Sequence, residues 1–396
     1  MRPTRLAVIV AALLAAWTAP ASADPIPAAA SELTIAWLGM RPADPPEPAF
    51  IDRPAPTDEG LAGLRLAVSD DNASGRFMHQ SFGLEAEWLP PGGDAAAALR
   101  RLAAAGVRFV VADLPAAVLA KAAADPAAAA LTIFNAGAPD DVLRNRDCRA
   151  NVLHTLPSRA MLADALAQYL VKKTWTRWLL VTGPTAGDQA YAAAIRHAAA
   201  KFGARLVGEK SWTYTRDSRH TATGEVAALT QDGDYDVVVV ADEAGDFGDL
   251  VPYDTWLPRP VAGTQGLVSA AWHPAYSAWA AAQLQERFRG QAHRAMTAKD
   301  YAAWEGGRAV GEAAMRLRST DPVSIARAIR SDDFALPAYK GRTLSFRSWD
   351  GQLRQPILIA WARNVVSVAP EDGFLHPVTD LDTLGTDKGE SKCVLH

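Results

Sequence analysis

The side chains of this 396-residue chain that could recognise a molecule sit in short segments following apolar runs. Trp37 and Arg41 close the first run. A tryptophan there can stack on a planar or apolar body, and an arginine can make paired hydrogen bonds to a carboxylate. The competing reading buries Trp37 in the core and leaves Arg41 a solvated loop charge. Asp113 and Asn135 follow two later runs, and Asp188, Glu243 and Asp246 follow others. The last three carboxylates could hold hydroxyls or a cation, or merely edge a solvated loop. Trp272 and His273 either close over a ligand or pack beneath a chain crossing.

Catalytic patterns are weaker. There is no G-x-S-x-G elbow, no H-E-x-x-H and no phosphate-cradling glycine loop. The eight histidines are scattered. Asp232, Asp234 and Asp236 lack the trailing glycine and glutamate of a calcium loop and are expected to form a turn. Binding without covalent chemistry, cofactor or metal is the expectation.

The elements that must position these residues alternate between strand and helix. A first set runs Leu33–Leu38, Glu59–Asp71, Ser81–Trp88, Asp94–Ala104, Val107–Ala112, Pro115–Ala124 and Leu131–Phe134. After a polar connector, Asp140 to Arg149, the second comprises Ser158–Lys172, Trp175–Thr182, Asp188–Phe202, Leu206–Trp212, a helix near Gly224–Thr230, Tyr235–Ala241 and Pro260–Gly263. Helices follow at Ala275–Phe288, Ala298–Arg318 and Pro322–Ser331. Thr343–Phe346 and Gln355–Trp361 flank Asp350-Gly351, a hairpin signal. The fold class is α/β: two lobes, each a mostly parallel sheet with helices on both faces. A chain of this length exceeds what one core serves. Ligands of such sheets bind beyond the carboxyl ends of the strands, so the loops leaving each strand form the expected cleft.

Arg2 and Arg5, the apolar stretch Leu6–Trp17 and Ala21-Ser22-Ala23 form a signal-peptide pattern, with cleavage expected after Ala23. The apolar stretch is shorter than the roughly 20 residues that span a bilayer. A soluble, exported protein is expected, and the resemblance given below implies the periplasm. The net charge of −4, with dispersed signs, gives no footprint for nucleic acid. Cys148 and Cys393 are the two cysteines. They form one bridge tying the C-terminal tail to the first lobe, or remain two unrelated thiols.

The opening run Leu33–Gly39, the pattern E-G-x-x-G-x-x-L-A-V from Glu59 to Val68, D-N-x-x-G at Asp71–Gly75 and the ending L-S-F-R-x-x-D-G-Q-L-x-Q-P resemble the periplasmic solute-binding proteins of ABC transporters, of the branched-chain amino-acid-binding type I family. Trp37–Pro42, Asp70–Phe77 and Phe134–Arg144 are similar to the sub-group associated with PQQ-dependent alcohol dehydrogenase systems. The resemblance implies three interlobe crossings, near Leu153–Thr155, Trp272–His273 and Tyr339–Gly341. Lobe 1 would hold 33–153 and 273–338, lobe 2 154–272 and 339–369, and 370–396 a tail that wraps the surface or frays. It implies a small-molecule ligand, a membrane permease as partner, and either a transport role in alcohol oxidation or an accessory role beside a quinoprotein dehydrogenase. The family grips an amino-acid carboxylate with serine and threonine loops. The matching positions here, Ala112–Ala116 and Asn135–Ala138, lack both, and Asp113 would repel a carboxylate. A standard amino acid is therefore not the expected ligand.

Overall fold

The computed structural model describes residues 31–43, 55–212 and 222–395; the signal-peptide segment lies outside them. In chain order the first lobe runs β1 (Ser31–Met40), α1 (Leu61–Gly75), β2 (Gln80–Leu89), α2 (Ala95–Ala104), β3 (Phe109–Asp113), α3 (Ala116–Ala123), β4 (Thr132–Asn135) and β5 (Val152–His154). The second comprises α4 (Arg159–Lys172), β6 (Arg177–Thr182), α5 (Ala186–Phe202), β7 (Arg205–Ser211), α6 (Ala222–Thr230), β8 (Val237–Ala241), α7 (Val251–Asp254), β9 (Val261–Gly263) and β10 (Leu267–Ala270). Then α8 (Ala281–Ala292), α9 (Ala298–Leu317) and α10 (Pro322–Ile329) return to the first lobe. The chain closes with β11 (Leu336–Pro337), β12 (Thr343–Phe346), β13 (Leu353–Arg354), β14 (Ile357–Trp361) and β15 (Asn364–Ala369).

The first sheet has the order β2-β1-β3-β4-β5, and every pair in it is parallel. The second has the order β15-β14-β10-β9-β8-β6-β7, parallel from β7 to β10 and antiparallel at β14 and β15. Both sheets are covered on two faces, which is why Val237 to Val240 of β8 are all fully buried. On β1, Ile35 and Trp37 join the core beneath α1 and α9, while Ala36 and Leu38 join the one beneath α2 and α3.

The E-G-x-x-G motif has a packing reason. Gly60 adopts φ +77°, a left-handed conformation with the Trp37 ring against its Cα, and Gly63 abuts the backbone of Asp300 in α9. Asp300 then accepts from the Gly60 amide at 2.8 Å, tying the start of α1 to the start of α9.

Three expectations change. The acidic D-D-N-x-x-G segment does not stop α1, which runs to Gly75. Its polar groups find tertiary partners: Asp71 is buried on Arg308, and the Asn72 side chain exchanges two 2.8 Å hydrogen bonds with the Phe82 backbone. The closing hairpin pairs β12 with β13 rather than with β14, which instead joins β10 and β15 of the second sheet. The break falls at Gln355-Pro356. Strands β10 and β15 were not expected at all.

The tail is held along its length. Asp382 accepts from Arg347 at 2.8 Å and Arg354 at 2.9 Å, and Lys201 donates to the carbonyls of Thr383 and Gly385. Cys148 and Cys393 are bonded, with Cα atoms 5.7 Å apart.

Candidate functional site

In a sheet ordered β2-β1-β3, successive connections leave β1 in opposite directions, opening a crevice at the carboxyl ends of β1 and β3. The second sheet repeats this between β6 and β8. The loops at both switch points carry the charged residues of interest.

At the first, a cavity of about 470 Å³ is lined by Arg41, Trp88, Asp113, Gly137, Asp140 and Lys299, among others. That volume suits a small organic ligand. The Arg41 guanidinium lies 3.8 Å from the centre of the Trp88 ring and donates to the Thr57 carbonyl at 2.6 Å. No carboxylate pairs with it among the described residues. Stacking and the single carbonyl bond fix its plane while leaving donors free. Asp113 is paired with Lys299 at 3.2 Å, so its charge is offset rather than aimed at an incoming anion.

The second switch point joins this cavity through an ion chain. Arg159, the first residue of α4, reaches Asp140 at 3.0 Å and holds Glu243 through two bonds of 2.8 and 2.7 Å. Burial opposes the charge on Arg159, but Glu243 and Asp140 overcome it and raise its pKa. Asp140 belongs to the loop after β4 and Glu243 to the loop after β8, so Arg159 bridges groups from both lobes.

Other expected contacts are structural. Trp37 is fully buried against Trp88, with ring centres 5.5 Å apart, and cannot stack on a ligand. Asn135 is also fully buried: its Oδ1 accepts from the Ala138 amide at 2.9 Å, and its Nδ2 donates to the Ala138 carbonyl and to His154 Nδ1. His154 must accept that bond as a neutral ring, and burial together with Arg144 pushes its pKa well below the usual range. Asp188 is spent on a capping box with Thr185 and on the Ala244 amide at 3.2 Å. Trp272 stacks on Tyr301 at 4.3 Å within the first core, and His273 accepts from the Ala275 amide. Asp246 is half-buried; its amide donates to Asp242, whose carboxylate also takes the Phe247 and Gly248 amides. It does not line the Arg41 cavity. The structure thus groups Arg41 and Asp113 with Trp88, Asp140 and Lys299, and connects Glu243 through Arg159.

Sequence reasoning missed Arg159 and Lys299, although each left a signal. Both are basic residues in the first turn of a helix, where the helix dipole disfavours positive charge. A cation placed there needs an anionic partner. Among the described residues, no three His, Cys, Asp or Glu side chains gather as metal ligands would. No described helix is long and apolar enough to cross a membrane.

A branched-chain amino acid ABC transporter periplasmic ligand-binding protein from Burkholderia xenovorans superposes on this chain with a TM-score of 0.70, covering 92% of this chain and 99% of its own at 14% identity. Residues 59–252 match a family model described as periplasmic binding protein. The chain has the fold of the type I periplasmic binding proteins. Other binding proteins of the fold are similar to it. An ABC transporter substrate-binding protein from Desulfitobacterium hafniense in complex with Leu gives a TM-score of 0.65 at 17% identity over 85% of this chain and 99% of its own. A solute-binding protein from R. palustris in complex with benzoate gives 0.62 at 12% identity over 92% and 100%. No curated protein matches the chain.

Proposed function

We propose that this periplasmic binding protein captures a small organic solute between its lobes and delivers it to an ABC permease. The solute adds contacts to both lobes and so favours the closed arrangement over the open one. One observation carries the reading: Arg41, stacked on Trp88 and unpaired by any described carboxylate, faces the cavity at the β1/β3 switch point. Its free donors suit a carboxylate or quinone oxygen, and the Trp88 edge suits a planar or apolar body. The leucine- and benzoate-bound relatives support an organic acid as the ligand class. The sequence patterns at Trp37–Pro42, Asp70–Phe77 and Phe134–Arg144 support a place in PQQ-linked alcohol oxidation, where the cargo is an alcohol, its aldehyde or acid product, or the quinone itself. An export signal at residues 1–23 is consistent with the periplasm.

Calorimetric titration with such acids tests this reading. Arg41→Ala should weaken the best ligand at least about tenfold, the usual cost of losing a hydrogen bond to a charged group. Unchanged affinity would contradict it.

A second reading is favoured by the loop after β4. Asn135 is consumed in bracing that loop, and the serine and threonine of an amino-acid clamp are absent. In this reading the fold persists as an accessory protein of a periplasmic quinoprotein dehydrogenase. Co-purification with such an enzyme, with no cleft ligand, would separate the two.

A further inference from the structure

The first lobe has a second cavity, at the opposite end of its sheet from the Arg41 site. It holds about 700 Å³ and lies where β3, β4 and β5 begin, beneath α10 and the turn Pro126–Ala130. Arg108, Arg149 and Arg330 all line it. Asp125 is the one acidic side chain among the described residues of the lining, and it is taken by Arg100 at 2.5 Å.

Arg108 and Arg330 have only neutral partners among the described residues. Arg108 donates to the carbonyls of Ala103 and Val107 at 3.0 and 2.8 Å. Arg330 donates to Thr132 Oγ1 and the carbonyls of Ala326 and Ala150 at 3.1 to 3.2 Å. The Arg149 Nε is buried and has no acceptor among the described residues. None of the three pairs with a carboxylate among the described residues. Burial lowers the Arg330 pKa. The rest of the lining is mostly apolar, including Ala129, Leu131 and Val323. All three arginines are half-buried, and a cation drawn partly out of water into an apolar setting gains from an anionic partner. Arginine is also the side chain best shaped to hold carboxylate or phosphate.

We propose that this cavity binds a small amphiphilic anion. Its carboxylate or phosphate head sits on Arg149, Arg330 and Arg108, and its apolar body lies along Ala129, Leu131 and Val323. The site is independent of the cleft, so its occupancy neither requires nor competes with the transported solute.

The test is calorimetric titration of the full chain, disulfide intact, with octanoate and separately with inorganic phosphate. In the Arg41→Ala background, which removes the anchor of the cleft, octanoate should bind saturably, one per chain, and more weakly as salt rises. Arg149→Gln and Arg330→Gln, each added to that background, should weaken it at least about tenfold. Arg149 makes no hydrogen bond through Nε that the fold needs, so its variant remains informative if Arg330→Gln misfolds. Absence of saturable binding by either anion would overturn the proposal. So would octanoate affinity that survives Arg149→Gln, or that disappears in Arg41→Ala. Phosphate binding without octanoate binding would overturn the apolar half.

Discussion

A polar side chain at a strand exit has two competing uses: to hold a ligand, or to hold the loop it stands on. Asn135, Asp188 and Asp242 are spent on the second, each satisfying backbone amides that would otherwise be unpaired. Arg41 and Lys299 keep charge at the cavity surface. Two predictions belong at this scale. Trp37→Ala should destabilise the protein by about 3–5 kcal/mol, the usual loss for a buried aromatic, as measured by urea unfolding. Lys299→Ala strips Asp113 of its cation, so binding of an anionic solute should fall at least about tenfold in a calorimetric titration while that of a neutral one changes little. Part of this division was legible. Thr185-Ala186-Gly187-Asp188 reads as a capping box, which marks Asp188 as structural before any contact is seen. The place of Trp37 was not legible, because β1 is buried on both faces and alternation there separates one core from another rather than core from solvent.

Among the elements, order and type were readable because α2, α4, α5, α9 and α10 carry their own side-chain caps, and each inner strand a β-branched or apolar run. The failures cluster where the chain passes between lobes. Leu344, Phe346 and Leu353 remain in the first core, and the chain enters the second sheet only at β14. Gln355-Pro356 between them carries a buried polar network that no local pattern announces. Lys340 donates to Gln355 at 2.6 Å and to the Pro356 carbonyl at 3.1 Å, and Gln355 donates to the Thr155 carbonyl at 2.7 Å. Glu305 of α9 faces this group; burial pushes its pKa up to about 8, with Lys340 pulling the other way. Burial likewise lowers Lys340 to about 8. Glu305 binds its proton more tightly folded than unfolded, so its contribution is fully present below about pH 4.5 and lost as pH rises through 8. Lys340 acts in the opposite sense, returning stability as pH rises from about 8 to 10.5. Unfolding free energies measured from pH 5 to 8 should decline less steeply in Glu305→Gln than in the native chain.

At the scale of the whole molecule, the tail joins parts that the sheets leave separate. Glu371 binds Lys172 of α4, Asp382 binds Arg347 beside the crossing, and Cys393 is bonded to Cys148 before β5. The bond closes a sequence separation of 245 residues. Cys393→Ser should cost roughly 2–4 kcal/mol, seen as a lower unfolding midpoint that reducing agent does not lower further. Closure of the two lobes on a small solute is tested by thermal unfolding of ligand-free protein against alcohols, aldehydes, short organic acids, amino acids and the quinone cofactor, with Arg41→Ala alongside. A solute at about a hundred times its Kd stabilises by roughly 2.7 kcal/mol, a rise of roughly 2 °C or more for a chain of this size. The expected result is such a rise for one chemical class, diminished in Arg41→Ala. A flat response across the panel would contradict solute capture.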